Sequence, residues 1–483
     1  MTPNPYFDTL DRTIQSDSDH ALALRHAPCI RFDAREPFLP SVVGYTVFRE
    51  NAPSPSFPRE VILPANAACT IEYAVWWDWE IQHLYELEHI WVYLDADERV
   101  VAADASWHGR YHAMVDEQGN VPLQGNRVVV YSEPGKHAFA PSPQWLLERA
   151  PETRASCGLR SGMMGVHVTP LFEGIIRDRL PLNNRLVHTY LERLAFEPAY
   201  EFANEFDLAT CILVPWNNLF RWIPERVAWW CQELRRTIPP HQQRVLRIAH
   251  RGASAYAQEN SLTAFHKAAE MLADMVEVDI RITVDQIPVV AHDSDLRRLF
   301  GINSTIADLT FEQLRAATPP GLEPVPSFEE VVATCKALGL GLYLDIKEFS
   351  RPAAQSIFAT LKAHGMTRYT IFGSFRHDWV AEIKAASPDV STSILFSSTH
   401  VDPVLLARAL GCDYVHPCWE NAAPEPHRLL TPDWMRAVRE AELGIICWHE
   451  ERPSEIAALQ ALGVDGICSD TPERLVPTMT RTA

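Results

Sequence analysis

The ten cysteines, at positions 29, 69, 157, 211, 231, 335, 412, 418, 447 and 468, include no Cys-x-x-Cys pair. That spacing excludes a zinc knuckle and a thioredoxin-like redox motif. In a chain this long they read as small, buried apolar residues of a reducing compartment. No run of 18 or more apolar residues occurs, so no membrane span is expected. The opening MTPNPYFDTLDRTIQSDSDH lacks a basic stretch followed by an apolar one. A secretory signal is therefore not expected, and a cytoplasmic location is. Basic residues are in deficit, with 43 Lys and Arg against 62 Asp and Glu, a formal charge of −19. This balance argues against nucleic acid as a partner, because backbone binding needs a basic surface. It is compatible with gathering a divalent cation, although most such charge is solvated surface.

The composition is globular, 47% apolar with 14 Trp and 20 Phe over 483 residues, enough for two or three domains. Residues 1–27 are expected to be a flexible tail. A β-rich domain is expected over 28–164, with strand candidates at 42–48, 69–77, 89–95 and 126–132. Residues 165–243 read as a mainly helical connector and linker. Within it WIPERVAWWCQELRR (222–236) has Pro near its first turn and basic residues at its end. From 244 to 483 short apolar runs alternate with helical segments, the pattern of an α/β fold closed as a TIM (β/α)8 barrel. Nine strand candidates are one too many. The step from 280 to 287 is too short for a crossover helix, so one strand is an irregular addition.

The chemistry concentrates at the ends of those runs. His250 and Arg251 follow the run 245–249. Glu277 and Asp279 stand two apart and share one face of a strand. His292 ends the next run, and Asp345 and Lys347 repeat the i, i+2 spacing on another. In a parallel barrel these strand ends converge on one mouth. Three carboxylates suit a hard cation, Mg²⁺ or Ca²⁺. Cation and basic side chains can hold a phosphodiester, while two histidines divide the proton transfers. Singly, a His-Arg pair or a Glu-x-Asp is most often structural. The joint, ordered occurrence at strand ends is not.

The segment IAHRGASAYAQENSLTAF, with the later Glu-x-Asp, His and carboxylate-x-Lys, closely resembles the glycerophosphodiester phosphodiesterase family over roughly 244–480. The resemblance implies hydrolysis of glycerophosphodiesters to glycerol 3-phosphate and an alcohol with a divalent metal. It implies Glu277, Asp279 and Asp345 as metal ligands, and His250 and His292 as the acid/base pair. Arg251 and Lys347 would contact phosphate, and the substrate's own glycerol hydroxyl would be the nucleophile, passing through a cyclic phosphate. Two positions depart from the family pattern. The third ligand is usually Glu and here is Asp345. The late Trp-Thr-Val-Asn stands as Cys447-Trp448-His449-Glu450, in which Trp448 still walls the mouth and binds substrate. The short stretch 293–340 favours the compact bacterial-type enzymes over the larger periplasmic kind. Two alternatives stay open: phospholipase D-type cleavage of lysophospholipids or sphingomyelin, and a non-catalytic barrel used for binding.

In the N-terminal half, Glu88, His89, His108 and His137 are candidates for a second metal or ligand site. Their short flanking fragments faintly resemble the β-sandwiches of necrosis-inducing proteins and of vacuolar-sorting relatives. A Trp-rich core with hydrogen-bonded histidines is the more economical expectation. The helix at 222–236 would be the place of any peripheral membrane contact, with packing inside the protein as the other reading. The β-rich half is read as an accessory module for a lipid headgroup or a partner.

Overall fold

A computed structural model describes residues 5–239, 242–388 and 390–475. The chain divides into two units, Met1–Arg179 with Leu186–Thr237, and Leu180–Arg185 with Ile238–Ala483. Residues 240 and 241, inside the expected linker, lie outside the described residues.

The N-terminal unit is built on two sheets. Strand β1 (Cys29–Phe32) lies between β7 (Arg127–Ser132) and β8 (Asn204–Asp207) in one. The other runs β9 (Ile212–Pro215), β2 (Val42–Phe48), β3 (Cys69–Glu80), β4 (His83–Leu94), β5 (Val100–Trp107) and β6 (Arg110–Ala113). Trp76, Trp77 and Trp91 are among its largest fully buried side chains, so the aromatic excess forms core.

Three expectations are corrected in this unit. The tail over 1–27 contains helix α1 (Asp17–Arg25), whose first turn is capped by the Ser16 side chain accepting from the Asp19 N–H. Leu22 and Ala23 of α1 are buried, and Tyr73 Oη donates to the Ala23 carbonyl at 2.7 Å. The polar composition of the segment conceals a two-residue apolar anchor. The segment 165–243 carries helices at Pro181–Glu192 and Trp216–Thr237 but also supplies β8 and β9 to the two sheets, so most of it belongs to this unit rather than standing apart as a connector. The Trp-rich helix α2 spans Trp216–Thr237, which places Pro224 inside it. Packing outweighs the proline penalty there, because Trp222, Ile223, Arg226 and Val227 around it are all buried. Among the described residues no helix is long and apolar enough to cross a membrane.

In the C-terminal unit eight parallel strands close on themselves. They are β10 (Leu246–Ala249), β11 (Met275–Ile282), β13 (Gly341–Ile346), β14 (Thr370–Ser374), β15 (Ser391–Phe396), β16 (Tyr414–Pro417), β17 (Gly444–Cys447) and β18 (Gly466–Ser469). Closure comes from β10, which pairs with both β11 and β18. The ninth candidate, β12 (Pro288–Val290), is the irregular one, a short antiparallel return on β11 with Ile280 opposite Val290. Serine, threonine and aspartate side chains cap the starts of several crossover helices. Ser261 caps α3 (Leu262–Glu270), and Ser327 with Glu330 forms a capping box on α4 (Phe328–Leu338).

Ile248, Met275, Tyr343, Ile371, Leu395, Tyr414, Ile446 and Cys468 form one apolar cluster, one residue from each strand. Inward-facing side chains recur every second residue, so this layer sets the floor of the barrel mouth. Gly373 sits one step above it, and a Cβ there would lie 2.3 Å from Tyr343 Oη. The missing side chain leaves room for that buried tyrosine.

Candidate active site

Two residues above the apolar layer, the same alternation delivers the polar groups. Ile248 leads to His250, Met275 to Glu277 and then Asp279, Tyr343 to Asp345 and then Lys347. Tyr414 leads to His416, Ile446 to Trp448, and Cys468 to Asp470. The register of β11 on β13 sets Asp279 directly beside Asp345.

Glu277, Asp279 and Asp345 are each 0% exposed, and one oxygen from each lies within 4.8 Å of the others. Glu277 Oε1 and Asp345 Oδ1 are buried without a hydrogen-bond donor. Carboxylate oxygens placed so are costly unless a cation joins them. Two of the positive charges expected at the mouth are at hand. Lys347 Nζ bonds Asp345 Oδ2 and stands 3.3 Å from Asp279 Oδ1. Arg251 Nε is 3.5 Å from Asp279 Oδ2, and its guanidinium also pairs with Glu259 at 3.1 Å. Burial and the neighbouring Asp279 and Asp345 carboxylates push Glu277 well above the usual range. Burial lifts Asp345 to about 6 against the pull of Lys347. Burial also opposes the Asp279 charge, but Lys347, Arg251 and His292 outweigh it and hold this carboxyl below its ordinary value. Asn260 Nδ2 donates to Asp279 Oδ2 at 2.8 Å. The donor set is all oxygen and fits a hard divalent cation.

His250 is 5% exposed, and its Nδ1 lies 2.6 Å from Asp470 Oδ1. Ser254 Oγ also donates to Asp470 Oδ1, at 2.8 Å. The imidazole Nε2 is buried without a hydrogen-bond partner, and its nearest carboxylate oxygen is Glu277 Oε2 at 4.0 Å. Burial lowers the His250 pKa, which favours the neutral ring. Arg251 takes a left-handed φ of 56°, and its backbone N–H donates to Glu277 Oε2 at 2.9 Å. Gly252 follows at φ 81°, where a Cβ would lie 2.7 Å from that of Ala264. The tight turn thus needs glycine after the His-Arg pair.

His292 is less enclosed, with its Nδ1 2.8 Å from Asp293 Oδ1. Its carbonyl accepts from Arg281, whose guanidinium also pairs with Glu348 at 2.9 Å, pinning the β11–β12 return. The Trp448 ring stands edge-on to His250 at 4.8 Å, and Lys347 Nζ lies 6.0 Å from its centroid. All eight residues expected at the mouth therefore come from the strand ends that surround it.

Several neighbours carry no role in the sequence reading, His449 standing there only as a departure from the family pattern. Asp470, Ser254, Asn260 and Asp293 each hold a named site residue, and His449 stacks on His250 at 4.7 Å with rings 13° apart. Buried His416 bonds Tyr343 Oη through Nδ1 at 2.7 Å, and burial takes its pKa down to about 3. The period-two rule applied to β16 and β18 points to His416 and Asp470.

The N-terminal candidates do not assemble in this way. Glu88 accepts from Ser106 Oγ, and His108 Nε2 is 2.7 Å from Glu133 Oε2. His137 stacks on Trp77 at 4.6 Å and faces Glu36 at 3.3 Å, while His89 packs against Phe57 and Trp91. Among the described residues, the groups with ligand atoms within mutual metal-binding reach all lie in the barrel.

Residues 250–474 match the Glycerophosphoryl diester phosphodiesterase family. Over 244 residues the chain is 25% identical to a glycerophosphodiester phosphodiesterase of Caldanaerobacter subterraneus subsp. tengcongensis, covering 48% of this chain and 97% of that one. It is 31% identical over 163 residues to human glycerophosphodiester phosphodiesterase 1, covering 32% of this chain and 49% of the human protein. A solved glycerophosphodiester phosphodiesterase from Thermotoga maritima aligns with a TM-score of 0.41 and 26% identity, covering 48% of this chain and 96% of that one. The family match leaves the N-terminal region unassigned.

Proposed function

Residues 250–474 of this chain belong to the glycerophosphoryl diester phosphodiesterase family, and from that premise we propose that the protein hydrolyses glycerophosphodiesters to sn-glycerol 3-phosphate and an alcohol, using a divalent cation. One observation carries the reading: buried carboxylate oxygens without donors converge beside a buried imidazole nitrogen without a partner.

Glu277, Asp279 and Asp345 would hold the cation, Mg²⁺ or Ca²⁺, and when bound it supplies positive charge for the phosphoryl oxygens. Arg251 and Lys347 add positive charge on the same face and position the phosphodiester. Asp470 accepts from His250 Nδ1–H, which leaves the Nε2 lone pair facing the site. His250 is then the base that takes the proton of the attacking glycerol hydroxyl. His292, oriented by Asp293, gives a proton to the departing alcohol oxygen, leaving a cyclic glycerol phosphate. His292 then takes a proton from a water whose oxygen attacks phosphorus, and His250 returns its proton to the glycerol oxygen as the ring opens to sn-glycerol 3-phosphate. Trp448 walls the mouth and excludes water from one side of the phosphate.

The direct test supplies full-length protein with Mg²⁺ or Ca²⁺ and glycerophosphocholine or glycerophosphoethanolamine, and measures glycerol 3-phosphate. Release that stops on adding EDTA is expected. Absence of turnover on every glycerophosphodiester with either cation would overturn the reading. Lysophosphatidylcholine belongs in the same panel. Choline release from that lipid without turnover of glycerophosphocholine would assign the site to phospholipase D-type cleavage instead.

A further inference from the structure

A second set of metal-ligating atoms lies next to the carboxylate site and is chemically different from it. His250, His449 and Asp470 each present one ligand atom, all within 4.8 Å of one another. The residues come from the ends of β10, β17 and β18, so they are set by three strands of a closed barrel. The two imidazole rings are nearly parallel, with centroids 4.7 Å apart.

Carboxylates fix both rings. Asp470 Oδ1 holds His250 Nδ1 at 2.6 Å, and Glu451 Oε2 holds His449 Nδ1 at 3.1 Å. Glu451 Oε1 also accepts from the Asp470 backbone N–H at 2.7 Å and from Ser469 Oγ at 3.1 Å. One carboxylate therefore ties the His449 ring to the backbone that carries Asp470. Glu451 behind His449 is the supporting arrangement that orients a histidine ligand to a metal, leaving His449 Nε2 as its ligand atom. Side-chain exposure is 6% for His250, 30% for His449 and 34% for Asp470, so the set is anchored inside and reachable from outside.

Donor chemistry separates the two places. Three carboxylates select a hard cation, whereas two imidazoles and one carboxylate select zinc and its neighbours among the transition metals. Ligands at about 2.0–2.1 Å from a tetrahedral ion sit roughly 3.4 Å apart. Closing from the observed span takes small torsions of the two partly exposed side chains. An ion on the Asp470 side of His250 displaces the hydrogen bond that orients this ring.

We propose that His250, His449 and Asp470 form an inhibitory site for a transition-metal dication of the zinc class, distinct from the carboxylate site, and that its occupancy withdraws His250 from proton transfer. The inhibitory part rests on the hydrolytic role given to His250 above. The binding part does not.

Two measurements separate them. In the first, Zn²⁺ is titrated into full-length protein with Mg²⁺ in excess, and inhibition of glycerophosphocholine turnover is scored against each variant's own rate without Zn²⁺. The inhibitory Zn²⁺ concentration should rise at least about tenfold in His449→Gln and in His449→Asn, the loss expected when a ligand is removed. In the second, Co²⁺ is added to Mg²⁺-saturated protein and the visible absorption of four-coordinate Co²⁺ is followed. The band should appear in the wild type and in Asp345→Asn and be absent from both His449 variants, with melting curves confirming that each is folded. Zn²⁺ inhibition and a Co²⁺ band that survive unchanged in folded His449 variants would place the ion at the carboxylates and overturn the proposal. If the wild type hydrolyses no glycerophosphodiester, the Co²⁺ measurement still decides whether the second site exists.

Discussion

Both halves of this protein bury acids beside histidines, and only one half turns them into a site. In the N-terminal unit Glu80 receives Lys136 at 2.6 Å and the Gln82 N–H at 2.6 Å. Glu133 receives His108 and Thr153, and Glu88 receives Ser106. These carboxylates are answered by donors from their own unit. In the barrel Glu277 Oε1 and Asp345 Oδ1 are equally enclosed and have no donor. A cluster of chemically capable residues therefore says little. What distinguishes a site is convergence of lone pairs that the fold leaves unanswered.

The sharpest way to break that contrast is to neutralise one acid in each half. Glu277→Gln should lower turnover at least about 10³-fold, because it removes a carboxylate from the proposed cation site. Glu133→Gln, measured in the same assay, should leave kcat within about twofold. A comparable loss in both variants would erase the distinction. The histidines give a second comparison of similar size. His250→Ala should cost about 10²–10⁴ in kcat, the usual worth of a general base, whereas His108→Ala should leave kcat unchanged. Circular dichroism spectra of the variants must match the wild type for either result to count.

Stability should show the reverse asymmetry. Arg226 is 0% exposed and holds Asp78 through two bonds of 2.8 and 2.6 Å, with the Trp229 ring 4.5 Å from its guanidinium. Arg226→Met leaves Asp78 without its countercharge and should destabilise the N-terminal unit by about 3 kcal/mol. Thermal melting monitored by Trp fluorescence checks this, and kcat should stay at the wild-type value.

A smaller effect concerns pH. Burial lowers the pKa of His89 from 6.5 to about 3. A folded-state pKa below the unfolded one gives stability that is complete above pH 6.5 and is lost as pH falls toward 3, because the unfolded chain binds the proton. The slope is about 1.4 kcal/mol per pH unit within that window. His89→Phe keeps an aromatic ring against Phe57 and Trp91 and removes the titration. Urea unfolding at pH 7 and pH 5 should show a smaller drop in the variant, and an identical drop would exclude His89 as a source of acid lability.

Much of the barrel is legible in the sequence itself. Period-two alternation on β11 and β13 placed Glu277 with Asp279, and Asp345 with Lys347, on single faces. The short gap after residue 280 marked β12 as irregular. Asp470 and His449 were not legible in the same way. Their meaning lies in partners more than 190 positions away in the chain, and a lone Asp or His after a strand is common. The helix at 17–25 was missed because its polar residues outnumber the two that anchor it. Pro224 misplaced the start of α2 because a local rule was applied where tertiary packing decides.

Sequence alone determined which residue types stand at the strand ends, and with them the class of chemistry, because side-chain direction along a strand is a local property with a fixed period. The tertiary structure decided which acids were left without donors. It also decided which imidazole was held by Asp470, and that His108 faces Glu133 and His137 faces Glu36 while His89 packs against Phe57 and Trp91. Those outcomes depend on barrel closure and strand register, which bring together atoms that no local pattern relates.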